Sequence, residues 1–252
     1  MSLLHSGASW KCLILRLTTM TTFVHYIPIA TTILSLAFGR VLFKHWRQKP
    51  KAYYLLWWFI GVAMYGVGTL TESTTTLLGW NVFVFKSWYI SGALLGGAPL
   101  AQGTVYLLFR QKTAHWMSAG LIIFIVTASV CIISSPIEWA NVELHRLSGS
   151  ALAWNWVRLF SPFINIYAFI FLVGGAIWSA IQYARKKQTD QIRMWGNIFI
   201  AVGATLPGIG GMSARLGHVE VLYVTEFIGL ILIWVGYKAM SRRTTNSIHE
   251  NQ

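Results

Sequence analysis

Cysteine is nearly missing from this sequence: Cys12 and Cys131 are too few and too far apart for a disulfide framework or a thiolate metal site. Charge is also scarce. Asp, Glu, Lys and Arg make up 11% of the 252 residues, and only 7 of these are acidic, which excludes an ordinary domain kept in water by a mixed-charge surface. No HExxH zinc motif, phosphate-binding loop, dinucleotide glycine pattern in context or GxSxG elbow occurs, so the chain has no motif for catalysis. Of seven histidines only His25 lies near the interior of an apolar run, which leaves no histidine pair for haem. The reading calls for no cofactor and no metal. The short alternating segments of a membrane β-barrel are missing too.

What the sequence has is apolar length. It is 55% hydrophobic with a mean hydropathy of +0.56, a composition that belongs in lipid. A helix of 20 residues rises about 30 Å, the depth of the hydrocarbon core. Seven runs of roughly that length are predicted to span, over 26–43, 52–71, 87–109, 116–137, 159–184, 194–214 and 221–237. The expected fold is therefore all-α and polytopic, with seven transmembrane helices. Pro99 and Pro207 are expected to kink spans three and six, and the many glycines there to let helices approach closely.

Lys and Arg fall unevenly between the runs. Arg40, Lys44, Arg47, Lys49, Lys51, Arg110, Lys112, Arg185, Lys186, Lys187, Arg193, Lys238, Arg242 and Arg243 lie on one side, fourteen of the twenty. Short basic loops resist translocation, so this side is expected to be cytoplasmic, with the N-terminus outside and the C-terminus inside. The net charge of +13 is thereby attributed to topology and contact with anionic membrane lipids, without a nucleic-acid partner. An integral protein of a bacterial cytoplasmic membrane is expected.

Three segments follow: 1–19, a flexible leader or a misassigned start with Met20 the true beginning; 20–240, the seven-helix domain; and 241–252, a short cytoplasmic tail. Two stretches resemble each other. Pro28, the basic segment 44–51 and Trp57–Trp58 with Gly61, Gly66 and Gly68 run parallel to Pro162, the basic segment 185–187 and Trp195 with Gly203, Gly208, Gly210 and Gly211. A 3+1+3 parallel repeat is a possible origin.

Glu226 is the most informative polar residue. Lys238 marks the end of the last span only twelve residues later, a rise of about 18 Å. That is too short to cross, so Glu226 must lie inside the membrane, where an unpaired charge costs about 3 kcal/mol. Cationic compensation is expected from Arg215, His218, Arg158 or Lys86. Glu72 at the exit of span two and Glu138 after span four are expected to ring a cavity mouth with these residues. The Trp154–Asn155–Trp156 segment would form a lid or lining, and Gln102 would line the cavity deeper down.

In layout the chain resembles microbial rhodopsins, seven-helix receptors and small sugar transporters of the SWEET type. The likeness is architectural and names no substrate. A lysine midway along the last span, which a retinal pigment needs, is replaced here by the stretch 229–234. The functional expectation is a carrier or permease for a small polar or cationic solute, with an outward-facing pocket centred on Glu226. The alternatives are a ligand-sensing or assembly protein acting through a homo-oligomer or signalling partner and, third, a membrane-embedded enzyme.

Overall fold

The computed structural model describes residues 23–143, 146–185 and 191–249, with the backbone alone for 242–249. The expectations for 1–19, Lys186, Lys187 and residues 250–252 of the tail lie outside these residues. Among the described residues six helices are long and apolar enough to cross a membrane, and a seventh element crosses in pieces. The protein is an all-α, polytopic membrane protein.

The first two helices are α1 (Ile27–Gln48) and α2 (Tyr53–Leu78). Pro28 sits in the first turn of α1, where a missing N–H costs nothing, and Pro50 ends it, because proline cannot continue a helix. α2 runs beyond its expected end at residue 71. Ser73, Thr74 and Thr75 bond back to the carbonyls four residues before them, which satisfies these hydroxyls within the helix. Gly79 stops it at φ +85°, a conformation that disfavours any side chain.

The third span is broken. α3 (Val82–Trp88), capped by the Asn81 side chain on the Phe83 N–H at 2.8 Å, passes into a π-helical stretch, Tyr89–Leu94. After an interruption at 95–97, α4 (Ala98–Leu108) completes the crossing. Pro99 therefore does not kink a helix: it occupies the first turn of a new one, the position at which its ring fits.

α5 (Gln111–Ser134) starts and stops a few residues earlier than expected, because Ser135 and Pro136 leave the helical path. The connection that follows holds short 3₁₀ turns at Trp139–Asn141, Gly149–Ala151 and Asn155–Leu159. It buries Ala151, Leu152 and Val157 beside Phe85 and Tyr89. α6 (Phe160–Ala168), a second π stretch (Phe169–Gly174) and α7 (Gly175–Arg185) form one crossing. α8 (Gln191–Arg215) and α9 (Val219–His249) are joined by a tight turn at Gly217, φ +103°.

Two packed cores hold the bundle. One gathers Phe38, Leu55, Trp58, Val62, Leu100, Leu172, Ile200, Leu230 and Ile233 from α1, α2, α4, the second π stretch, α8 and α9. The other joins Phe85, Tyr89 and Leu94 to Leu121, Ala128, Ile132 and Ile164. Large apolar side chains point outward instead, such as Ile123, Val126, Val130 and Ile133 on α5, as a lipid-facing surface requires.

α8 and α9 lie closest of all. A Cβ on Gly203 would meet the Gly229 carbonyl oxygen at 2.6 Å, and one on Gly229 would meet the Gly203 oxygen at 2.6 Å. Gly196, seven residues before Gly203, and Gly236, seven after Gly229, repeat this contact. Pro207 has no N–H for the Gly203 carbonyl, which turns toward Gly229 and makes the Cα–H···O approach that small residues allow.

The irregularities do not follow the three-plus-one-plus-three plan. Span one is continuous where span five holds a π stretch, and span three is broken where span seven is continuous.

Candidate functional site

One face of α2 carries Tyr65, Thr69, Glu72 and Ser73, at the spacing that lines up side chains on a helix. All four are buried. Glycines bring polar neighbours to this face. Gly66 makes room for Ser35 of α1, and Gly68 packs on Gly92, whose Cα lies 3.3 Å from where a Gly68 Cβ would stand. Gly92 is one turn after Trp88 and Gly68 one turn before Glu72, so the glycine contact sets the indole over the carboxyl. Trp88 Nε1 donates to Glu72 Oε1 at 3.0 Å.

The other wall is α9. Tyr65 donates its hydroxyl proton to the Glu226 backbone carbonyl at 2.9 Å. The Glu226 carboxyl lies close enough to that of Glu72 for the two to interact. Glu226 is only partly covered as a residue, since the rest of it faces outward, but its Oε2 is enclosed, as is Glu72 Oε2. Neither Oε2 receives a hydrogen bond from the protein. On the α1 side the Thr32 and Thr69 hydroxyls meet at 2.9 Å. Tyr223, three residues before Glu226, is buried and takes the edge of the His25 ring at a centroid distance of 5.8 Å.

The expected cations are elsewhere. Lys86 donates to the carbonyls of Ile133 and Ser135 at 2.6 and 2.9 Å, closing the end of α5, where carbonyls lack helical partners. Arg215 and His218 are exposed at the α8–α9 turn. Arg158 lies in the 3₁₀ turn before α6, with its Nε buried. Glu143 and Arg146 form an ion pair at 3.4 Å, and Arg146 also donates to the Ala214 carbonyl at 2.5 Å, tying the 135–159 connection to α8. Glu226 thus meets a second acid where a cation was expected, because Lys86 is drawn off by the free carbonyls of α5.

Glu72 is not at a helix exit. It lies six residues inside α2, about 9 Å from its end, and is 4% exposed. Glu138 is exposed and does not reach it. Trp154 stacks on Trp156 at 6.0 Å, and Trp154, Asn155 and Trp156 are all exposed on the connection.

Gln102 is fully buried at a separate place, between α4, α5 and α6. Its amide donates to the Ala114 carbonyl at 3.0 Å and the Ser118 hydroxyl at 2.8 Å, and its oxygen accepts from Tyr167. Ser118 and His115 both reach Tyr106, extending this network toward the basic end. With both amide protons and the oxygen engaged, Gln102 joins three helices and offers nothing to a ligand.

Trp88, Tyr65, Thr69 and Thr32 were not singled out from sequence. The signal was the four-residue polar spacing along α2, obscured because serine, threonine and tyrosine are common in membrane helices and usually bond to their own backbone.

A shallow cleft of about 110 Å³ lies at the basic end, lined by His45, Lys49, Tyr54, Trp58, Tyr237 and Ser241. His45 Nδ1 and the Tyr237 hydroxyl are 2.6 Å apart there.

No family model matches the chain, and no curated protein or solved structure is similar to it. The chemistry of the carboxyl pair is the remaining guide to function.

Proposed function

We propose that this protein is a carrier for a small polar or cationic solute, and that Glu72 and Glu226 form its cation- or proton-binding centre. The observation that carries the reading is the carboxyl pair, buried between two spans and supplied with one indole donor in place of a cation. Such a pair costs several kcal/mol to hold in an apolar bundle, and its energy depends on what small positive species occupies it. That dependence is what couples occupancy to conformation.

The surrounding helices have the irregularities that alternating access uses. Trp88, bonded to Glu72, is the last residue before the π stretch of the third span. The interruption at 95–97 then packs against the fifth span, where a Cβ on Gly97 would lie 3.0 Å from the Ala168 Cβ, directly before the second π stretch. Two irregular segments are thus in contact, and one is tied to the acid. A shift between them changes the indole bond to Glu72 without unwinding a regular helix. In this reading the end nearer the carboxyls faces outward and the basic end faces the cytoplasm.

The test is uptake of labelled solutes by proteoliposomes holding the full chain, across a panel of small amines, amino acids and sugars. Accumulation is expected for one class, with loss in Glu226→Gln at unchanged yield of monodisperse protein. Absence of uptake across the panel, together with co-purification of a signalling subunit, favours the sensing alternative.

A further inference from the structure

The ligand of the pair follows from its hydrogen bonding. An ionised carboxylate only accepts, so two carboxyls can share a hydrogen bond only if one of them carries a proton. The Glu72 and Glu226 carboxyls lie close enough to interact, and each retains an enclosed oxygen toward which no protein donor is directed. One proton between them supplies the missing donor to one oxygen and the acceptor role to the other.

A metal cation fits the same place poorly. Hard cations take about six oxygens. The two carboxyls offer four oxygens at most, and one of them, Glu72 Oε1, already accepts the Trp88 indole proton. Among the described residues no third His, Cys, Asp or Glu joins the two acids.

We infer that Glu72 and Glu226 hold a single shared proton, and that this proton is the ion the carrier exchanges. The second half rests on the transport reading, and the first does not. In the exchange the proton leaves the carboxyl oxygen for water, and both carboxyls are ionised until a cationic group of the solute or a new proton replaces it.

The titratable and charged groups around the pair are few. Tyr65 of α2 is fixed on the Glu226 carbonyl, and Tyr223 of α9 is buried, with His25 on its ring edge and the charges of Glu220 and Arg146 acting on it. From α1, the Thr32 hydroxyl meets Thr69 beside the site. Lys86 of α3 is held by the α5 carbonyls, and Arg215 of α8 is exposed at the helix end.

A hydrophobic carbodiimide, which attacks protonated carboxyls in apolar surroundings, tests the inference on the full chain in liposomes, with the adduct mapped by peptide mass spectrometry. One adduct per chain is expected, on Glu72 or Glu226. Its yield should fall by about tenfold for each pH unit above the midpoint, and at fixed pH should be the same in sodium, potassium, magnesium or choline chloride. An infrared carbonyl band of a protonated carboxyl, lost in the Glu72→Gln, Glu226→Gln double variant, gives a second reading that needs no reagent to reach the site. Suppression of the adduct by a metal cation at fixed pH overturns the inference, as does absence of both adduct and band. If adduct and band behave as expected but no solute is taken up, the shared proton stands and the carrier reading falls. Uptake driven by a sodium gradient and not by a pH gradient leaves a carrier whose coupling ion is not this proton, and sinks the second half.

Discussion

At the scale of single residues, buried polar groups separate into those whose bonds are complete and those whose bonds are not. Gln102 is complete, and Gln102→Leu removes one partner from each of Tyr167, Ser118 and the Ala114 carbonyl. A loss of about 1–3 kcal/mol is expected, read as a lower thermal midpoint in detergent, with solute uptake per folded molecule unchanged. Trp88→Phe keeps a ring in place but removes the donor to Glu72. This change is expected to cost about 1–2 kcal/mol and, unlike Gln102→Leu, to alter the pH dependence of carbodiimide labelling. An unaltered pH profile would show that the indole serves packing alone. Glu226 was legible at this scale, because the short distance to Lys238 forces it into the membrane. Its partner was not, since hydropathy gives depth but not which face of a helix meets which neighbour.

At the scale of elements, glycines decide how far helices approach. Gly203 and Gly229 meet carbonyl oxygens across the α8–α9 contact, whereas Gly208 and Gly211 of the same helix would place a Cβ in open space. Gly203→Ala and Gly229→Ala are therefore expected to lower stability by about 1–3 kcal/mol. Gly208→Ala and Gly211→Ala should leave it within about 0.5 kcal/mol or raise it slightly. Thermal unfolding of the four variants checks this; equal effects would remove the distinction between contact and lipid-facing glycines. The same reasoning shows what sequence reading missed in the third span. Its uncharged run is long enough for one helix, and Pro99 reads as a kink within it. In the structure the run is two helices, because proline fits a first turn better than an interior and the glycines at 96 and 97 stabilise no helix before it.

At the scale of the whole molecule, the alternation of crossings places Lys49, Lys112 and Lys238 at one end and Trp139 and Ser148 at the other. In a Cys12→Ser, Cys131→Ser background, single cysteines at Trp139 and Ser148 are expected to react with a membrane-impermeant maleimide in intact cells. Cysteines at Lys49 and Lys112 should react only after permeabilisation. The opposite pattern would invert the proposed orientation and place the carboxyl pair near the cytoplasm. The 135–159 connection, tied to α8 through Arg146 and to α3 through Lys86, lies at the carboxyl end of the bundle. Of the cations expected to neutralise Glu226, Lys86 holds this connection and the end of α5 instead.

The sequence by itself determined the class of protein, the near positions of its crossings and that Glu226 falls within the last of them, because partition into lipid depends on local composition and on a fixed rise per residue. Only the tertiary structure decided that Glu72 lies within its helix and faces Glu226, that Trp88 bonds to it, and that the third span breaks beside the fifth. Those outcomes depend on the rotation and spacing of helices against one another, which close contacts at Gly66, Gly68, Gly203 and Gly229 fix and which no periodicity within a single span encodes.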